Sequence, residues 1–250
     1  MKELSKSTLR RLHNPNFITR YFVGNGIDIG GLPDPLSLYF EFFPLMRSVK
    51  IWDLPDGDAQ YMQSVLDESF DFIVSSHCLE HLVDPVEGIK NWFRILKPGG
   101  HLVITIPEED LYEQRAWPSN KNHDHKWTFT IWKESSWSPK SINVLNLVKE
   151  LGPSVDVRSI HVEDKAYRFE LPEYDQTLTP VAESAIELVL RKKTKGELLA
   201  GTSKSSTGTH IKQELLPYFN QYIDDMSALK ESNGRNKRPF TNTEDITWGS

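Results

Sequence analysis

A chain of 250 residues with a formal net charge of −6 and 38% hydrophobic residues suits one α/β domain with an appendage. Its low apolar content points to a part that packs poorly. The mild acidity argues against nucleic acid or an anionic membrane as a partner. One cysteine, Cys78, excludes an intrachain disulfide, no stretch has the length of a membrane span, and MKELSKSTLRRLHNP lacks the apolar core of a signal peptide, so a reducing cytoplasmic setting is expected.

Residues 1–20 are basic and polar, with the makings of a short helix. Gly26 to Ile29 reads as a strand that ends in Gly30-Gly31. Asp34-Pro35 should cap a helix bearing Leu36, Tyr39, Phe40 and Phe43, which stops at Pro44. Val49 to Trp52 is the next strand, closed by Asp53. Leu54 to Gly57 reads as a turn and Ala59 to Leu66 as a helix.

The stretch FDFIVSSHCLEHLVDPVEGIKNWFRILKPGGHLVITIP, residues 70–107, has every boundary marked chemically. Phe70 to Val74 is a short apolar run with β-branched residues, a buried strand, followed by Ser75, Ser76 and His77. Asp84-Pro85-Val86-Glu87 starts a helix with an N-cap carboxylate and a proline at the first position. Val86, Ile89, Phe93 and Leu96 keep helical spacing, Lys97-Pro98-Gly99-Gly100 ends it, and Leu102 to Ile106 is a second strand. This βαβ unit predicts parallel strands with a right-handed crossover and a ligand at their carboxyl ends.

Residues 108–137 read as a long loop insertion with Trp117, Trp127, Trp132, Trp137, His123 and His125. Ser138-Pro139 should open a helix through Leu145, Leu147, Val148 and Leu151 that ends at Gly152-Pro153. Val155 to Val162 and Ala185 to Leu190 read as strands. Residues 194–210 read as a flexible linker. Ile211, Leu215, Phe219, Tyr222, Met226 and Leu229 mark one face of an accessory helix kinked at Pro217, before a disordered tail to residue 250.

Strands alternating with helices predict an α/β, doubly wound parallel sheet. Its first turn, GNGIDIGGLPDP, fails two phosphate devices. The G-x-G-x-x-G pattern from Gly24 and Gly26 meets Ile29 at its sixth position, and no lysine follows Gly30 or Gly31 as a phosphate loop needs. What remains is Asp28-Ile29-Gly30-Gly31, where a ligand can approach the backbone. Asp53, 23 residues after Gly30, stands where an acid accepts hydrogen bonds from ribose hydroxyls.

DIGGLPDPL, WDLPDGDA and the 70–107 stretch together resemble the class I S-adenosylmethionine-dependent methyltransferases, in particular small-molecule enzymes with an LEHL-DP and R-LKPGG signature. The resemblance covers residues 24–107, and 108–193 by order of elements. It implies a Rossmann-like sheet, mostly parallel with an antiparallel final strand, helices on both faces, and a domain over 1–193 with its core at about 20–193. It implies S-adenosylmethionine as cofactor and transfer of methyl to oxygen or nitrogen of a small molecule or saccharide. Matched position by position, Asp28, Gly30 and Gly31 lie against the methionine moiety, and Asp53 holds the ribose. Asp58 and Ala59 lie against adenine, Ser75, Ser76 and His77 lie beneath the sulfonium, and Glu80 and His81 flank the acceptor. A second glycine expected at position 32 is Leu32.

Candidate bases are His77, His81, His123, His125 and Glu80. Plainer readings stand beside these: Asp53 capping the turn at Pro55, Asp58 solvated, and Glu80 and His81 on the surface. Cys78 with His81, and His123 with His125, have zinc-ligand spacing, but Cys78 is expected to face the core and no metal is expected. The tryptophans could wall an acceptor pocket or form a small core of their own. Rival readings are a non-catalytic binding module, a nicotinamide-dependent oxidoreductase, and an interaction module working through the 211–229 helix, which could also serve a homo-oligomer.

Overall fold

The structure, a computed structural model, describes residues 3–201. The 211–229 helix and the tail to residue 250 lie outside the described residues. The chain opens with α1 (Glu3–Arg11) and a π-helical turn at Phe17–Tyr21. Strand β1 (Gly24–Ile29) follows, then a 3-10 helix at Leu36–Phe42 and β2 (Met46–Trp52). After these come β3 (Phe70–Ser76), α2 (Pro85–Ile95), β4 (Leu96–Pro107), β5 (Thr128–Thr130), β6 (Ser141–Asn143), α3 (Val144–Lys149), β7 (Val155–Glu163), β8 (Ala185–Lys192) and α4 (Lys195–Ala200).

Six strands form one sheet in the order β2-β1-β3-β4-β8-β7. The first four are parallel, and β8 runs antiparallel to both β4 and β7. The chain moves from β1 to one side for β2, then returns to the other side for β3. The turns leaving β1 and β3 therefore diverge and open a crevice at the carboxyl end of the sheet.

Alternation of side chains along the strands divides the core. Ile73, Leu102, Ile104, Leu188 and Leu190 face Ile89 and Trp92 of α2 and Leu147 of α3. Phe72, Val74, Val103 and Val189 face Leu4 of α1, Phe17, Phe22, Leu36 and Phe43. Helix α2 starts where its cap predicts: the Asp84 carboxylate accepts hydrogen bonds from the Val86 and Glu87 N–H groups, with Pro85 first in the helix.

Helix α1 is fastened by charge. The Arg11 guanidinium is fully buried and donates to Glu187 on β8 at 2.8 Å and to Thr105 on β4 at 3.0 Å. Burial alone would raise the Glu187 carboxyl, but Arg11 and Arg10 outweigh it and hold it below the usual carboxylate range.

Several elements depart from the sequence reading. Asp34 does not cap the segment after it: Pro35 takes that place without a side-chain bond, and the segment is a 3-10 helix broken at Tyr39. Residues 59–66 form turns, because Asp58 and the packing of Met62 and Val65 serve a loop closed onto Arg94, which donates to the Val65 and Met62 carbonyls. Ser138-Pro139 opens no helix. Residues 141–143 form β6, and Asn143 caps α3. The 108–137 insertion carries a π-helical turn at Glu109–Glu113 and β5, which pairs with β6. Buried Glu109 draws it together by accepting from Thr128, Lys133, Ser136 and Ser141. The 194–210 stretch opens on α4, whose Thr194 and Glu197 cap each other, so its first residues are not linker. Among the described residues no helix is long and apolar enough to cross a membrane.

Candidate functional site

A cavity of about 180 Å³ lies at the crevice between the β1 and β3 turns. The β1 turn supplies Asp28, Gly30 and Gly31, and the β3 turn supplies Ser76, His77, Glu80 and His81. The insertion supplies Tyr112, Asn122 and His125, and α1 covers it with Glu3 and Leu4.

The β1 turn needs its glycines. Gly30 has φ +73°, and a Cβ there would stand 2.8 Å from Cys78 Cβ. A Cβ on Gly31 would meet the Asp28 carboxylate at 2.7 Å. Asp28 itself is buried. Its Oδ2 accepts from the Leu36 N–H at 2.7 Å, and Oδ1 has no hydrogen-bond partner. Burial pushes its carboxyl up to about 7, against the Leu36 bond and the nearby Arg11 charge.

The β3 turn holds a carboxylate among imidazoles. The His77 N–H donates to the Thr105 carbonyl at 2.9 Å, which anchors the turn to β4. Glu80 is fully buried, and neither carboxylate oxygen has a hydrogen bond. Oε1 lies 3.4 Å from His77 Nδ1, 4.0 Å from His81 Nε2 and 3.9 Å from His125 Nε2. Burial opposes the charge on Glu80, yet the neighbouring His77 holds its carboxyl below the usual range. The same pair, working against burial, raises His77.

His125 reaches this turn because the insertion is laced to it. The Lys126 N–H donates to the Glu80 carbonyl, Lys126 Nζ to the His81 carbonyl, and Trp127 Nε1 to the Leu82 carbonyl. Behind the imidazoles stand two more carboxylates. Glu113 Oε1 is 2.7 Å from His125 Nδ1, and Asp124 Oδ2 is 2.9 Å from His81 Nδ1.

Of the residues matched to a cofactor role, Asp28, Gly30, Gly31, Ser76 and His77 line the cavity. Ser75 is buried and donates to the Ile29 carbonyl. Asp53 does not line the cavity; it accepts from the N–H groups of Leu32, which does, and of Leu54. Asp58 is exposed and accepts from the Gln60 N–H, and the Ala59 carbonyl accepts from Trp92 Nε1. Of the candidate bases, His77, His81 and His125 converge with Glu80, whereas His123 is exposed and does not line the cavity. Nor do the four insertion tryptophans: Trp127 packs on the core, Trp137 donates to Asp110, and Trp132 is exposed. Cys78 packs against the core, and burial pushes its thiol up to about 12. Glu113, the carboxylate behind His125, was not singled out in the sequence; it is 12 residues from its partner and belongs to no motif.

A mostly parallel sheet with its crevice at the β1 and β3 turns and a glycine turn after β1 defines the Rossmann-like class of α/β proteins. Residues 18–137 match the family model of the methyltransferase domain. That match supports a place among the S-adenosylmethionine-dependent methyltransferases, with S-adenosylmethionine as the cofactor. Solved structures similar to it include a candidate methyltransferase from Bacillus halodurans (17% identity, 74% of this chain and 99% of that one, TM-score 0.48). Another is a SAM-dependent methyltransferase from Archaeoglobus fulgidus (17%, 77% and 95%, 0.49). A third is an S-adenosylmethionine-dependent methyltransferase from Mesorhizobium loti (15%, 74% and 96%, 0.46). No curated protein matches the chain in sequence.

Proposed function

We propose that the domain, with its core at about residues 20–193, moves a methyl group to oxygen or nitrogen of a small molecule or saccharide. One observation carries this reading: a single cavity joins the Asp28-Gly30-Gly31 turn to the Glu80, His81 and His125 cluster. The first is suited to a cationic amino-acid moiety and the second to an acceptor.

The residues present fit S-adenosylmethionine. The partnerless, buried Asp28 Oδ1 suits a cationic group, Ser76 Oγ and His77 Nε2 are likewise buried without partners, and the glycine turn admits close approach. When bound, the cofactor supplies an electrophilic methyl on its sulfonium. Alignment of donor and acceptor is then the main task, and positioning of this kind is worth roughly 7–11 kcal/mol. Asp28 and the glycine turn would hold the methionyl end, and Asp53 the ribose. Asp58 and Ala59 would lie on the adenine side. The acceptor must also shed a proton. His77, Glu80, His81 and His125 all line the cavity and are the candidates for that task.

Calorimetric titration of the full chain with S-adenosylmethionine tests the donor half, with saturable one-to-one heat expected. Absence of heat, or equal binding of a nicotinamide dinucleotide, would count against it. An acceptor screen by mass spectrometry, following the gain of one CH₂, tests the second half.

A further inference from the structure

We infer that Glu80, His81 and His125 form a binding site for a divalent transition-metal ion of the zinc class. Three ligand atoms, one from each residue, lie within 4.8 Å of one another on the wall of the cavity. This departs from the sequence expectation in both content and composition. Cys78 and His123 take no part, and Glu80 does.

The hydrogen bonding behind the cluster selects this reading. His81 Nδ1 faces Asp124 at 2.9 Å, and His125 Nδ1 faces Glu113 at 2.7 Å. A carboxylate accepts, so each Nδ1 carries a hydrogen, and the neutral tautomer leaves each Nε2 with a free electron pair. Both Nε2 atoms turn toward Glu80 Oε1, at 4.0 and 3.9 Å, too far for hydrogen bonds. Two imidazole lone pairs and a fully buried carboxylate without hydrogen bonds therefore converge. A cation set between them would satisfy all three at once.

The donor set also selects the ion. Two imidazoles and one carboxylate suit zinc and its neighbours over magnesium or calcium, which prefer oxygen. Ligand bonds of about 2.0–2.2 Å place two donors roughly 3.4 Å apart on a tetrahedral ion, so the two carboxylate–imidazole distances need to close by about half an ångström and the widest separation in the cluster by at most about 1.4 Å. Three protein ligands leave a position open toward the cavity. The carboxylates on the far ring nitrogens orient the imidazoles, a pairing typical of metal-bound histidines.

In that open position an acceptor hydroxyl would bind the ion and lose its proton more readily. This use of the ion rests on the methyltransferase reading, but binding of the ion does not.

The test uses the full chain, stripped with a chelator and titrated with zinc by calorimetry, with elemental analysis after dialysis. Cobalt titration followed by visible absorption reports four-coordinate geometry. One equivalent per chain is expected. His81→Ala or His125→Ala should weaken binding at least 100-fold, and Asp124→Asn, at an exposed residue whose change leaves the core intact, about 10–100-fold. Circular dichroism and S-adenosylmethionine titration of each variant report folding. Failure to retain zinc in the unmodified chain, or undiminished binding by a folded His81→Ala/His125→Ala chain, overturns the site. Zinc binding without cofactor binding would leave the site standing and sink only the methyltransferase reading.

Discussion

The Leu32 N–H donates to the Asp53 carboxylate at 3.0 Å, which ties the turn after β1 to the end of β2. Asp53 also accepts from the Leu54 N–H at 2.8 Å, while its own N–H donates to Asp56. The plain role of a cap and the proposed role of ribose acid therefore meet in one side chain, and the bond from Leu32 aims that carboxylate beside the glycine turn.

Asp53→Ala should lower affinity for S-adenosylmethionine roughly 10–100-fold, since hydrogen bonds to a charged group contribute about 1.5–3 kcal/mol. Asp53→Asn, which keeps an acceptor oxygen for Leu32, should fall between. Titration calorimetry measures both. Lower thermal stability with undiminished affinity would assign Asp53 to capping alone.

Asp28 makes binding and stability respond to pH in opposite senses. Its folded pKa of about 7 exceeds the ordinary 3.8. Between about pH 4 and 7 the unfolded chain has released this proton and the folded chain retains it, so the contribution of Asp28 to stability falls as pH rises through that window. Ionised Asp28 would in turn attract a cationic methionyl group, so cofactor affinity should rise through about pH 7. Asp28→Asn should flatten both profiles. Denaturation and calorimetry across pH 5–8 would show it, and parallel slopes for the variant and the unmodified chain would refute the assignment.

Arg11 and Glu187 are 176 positions apart and buried together. Arg11→Ala leaves Glu187 in the sheet with one guanidinium fewer and should cost about 3–5 kcal/mol in urea denaturation. It should also weaken cofactor binding, because α1 carries Glu3 and Leu4 to the cavity. Arg11→Met with Glu187→Leu should recover most of the stability. A loss below about 1 kcal/mol for the single variant would show that the buried pair does not hold α1.

Gly30→Ala should destabilise the domain by at least about 1–2 kcal/mol, the cost of left-handed backbone for a residue with Cβ. The added carbon also meets Cys78. Chemical denaturation would detect this, and a neutral result would mean that the turn can relax.

Local chemistry along the chain determined the parts that depend on neighbours in sequence. The Asp84-Pro85 cap, the α2 periodicity, the strands of the βαβ unit and the Asp28-Gly30-Gly31 turn were all legible there, because caps, glycine turns and alternation act over a few residues. Residues 59–66 had weak helical spacing, and packing against Arg94 overrode it. The cavity's chemistry was decided only by tertiary structure. Glu80 meets His125 across 45 positions, and Glu113 stands behind it, because the insertion is hydrogen-bonded to the β3 turn. Likewise α1 reaches the cavity through a buried guanidinium whose partner lies on β8. Such pairings are set by which turns the sheet order brings together, and no spacing along the chain encodes them.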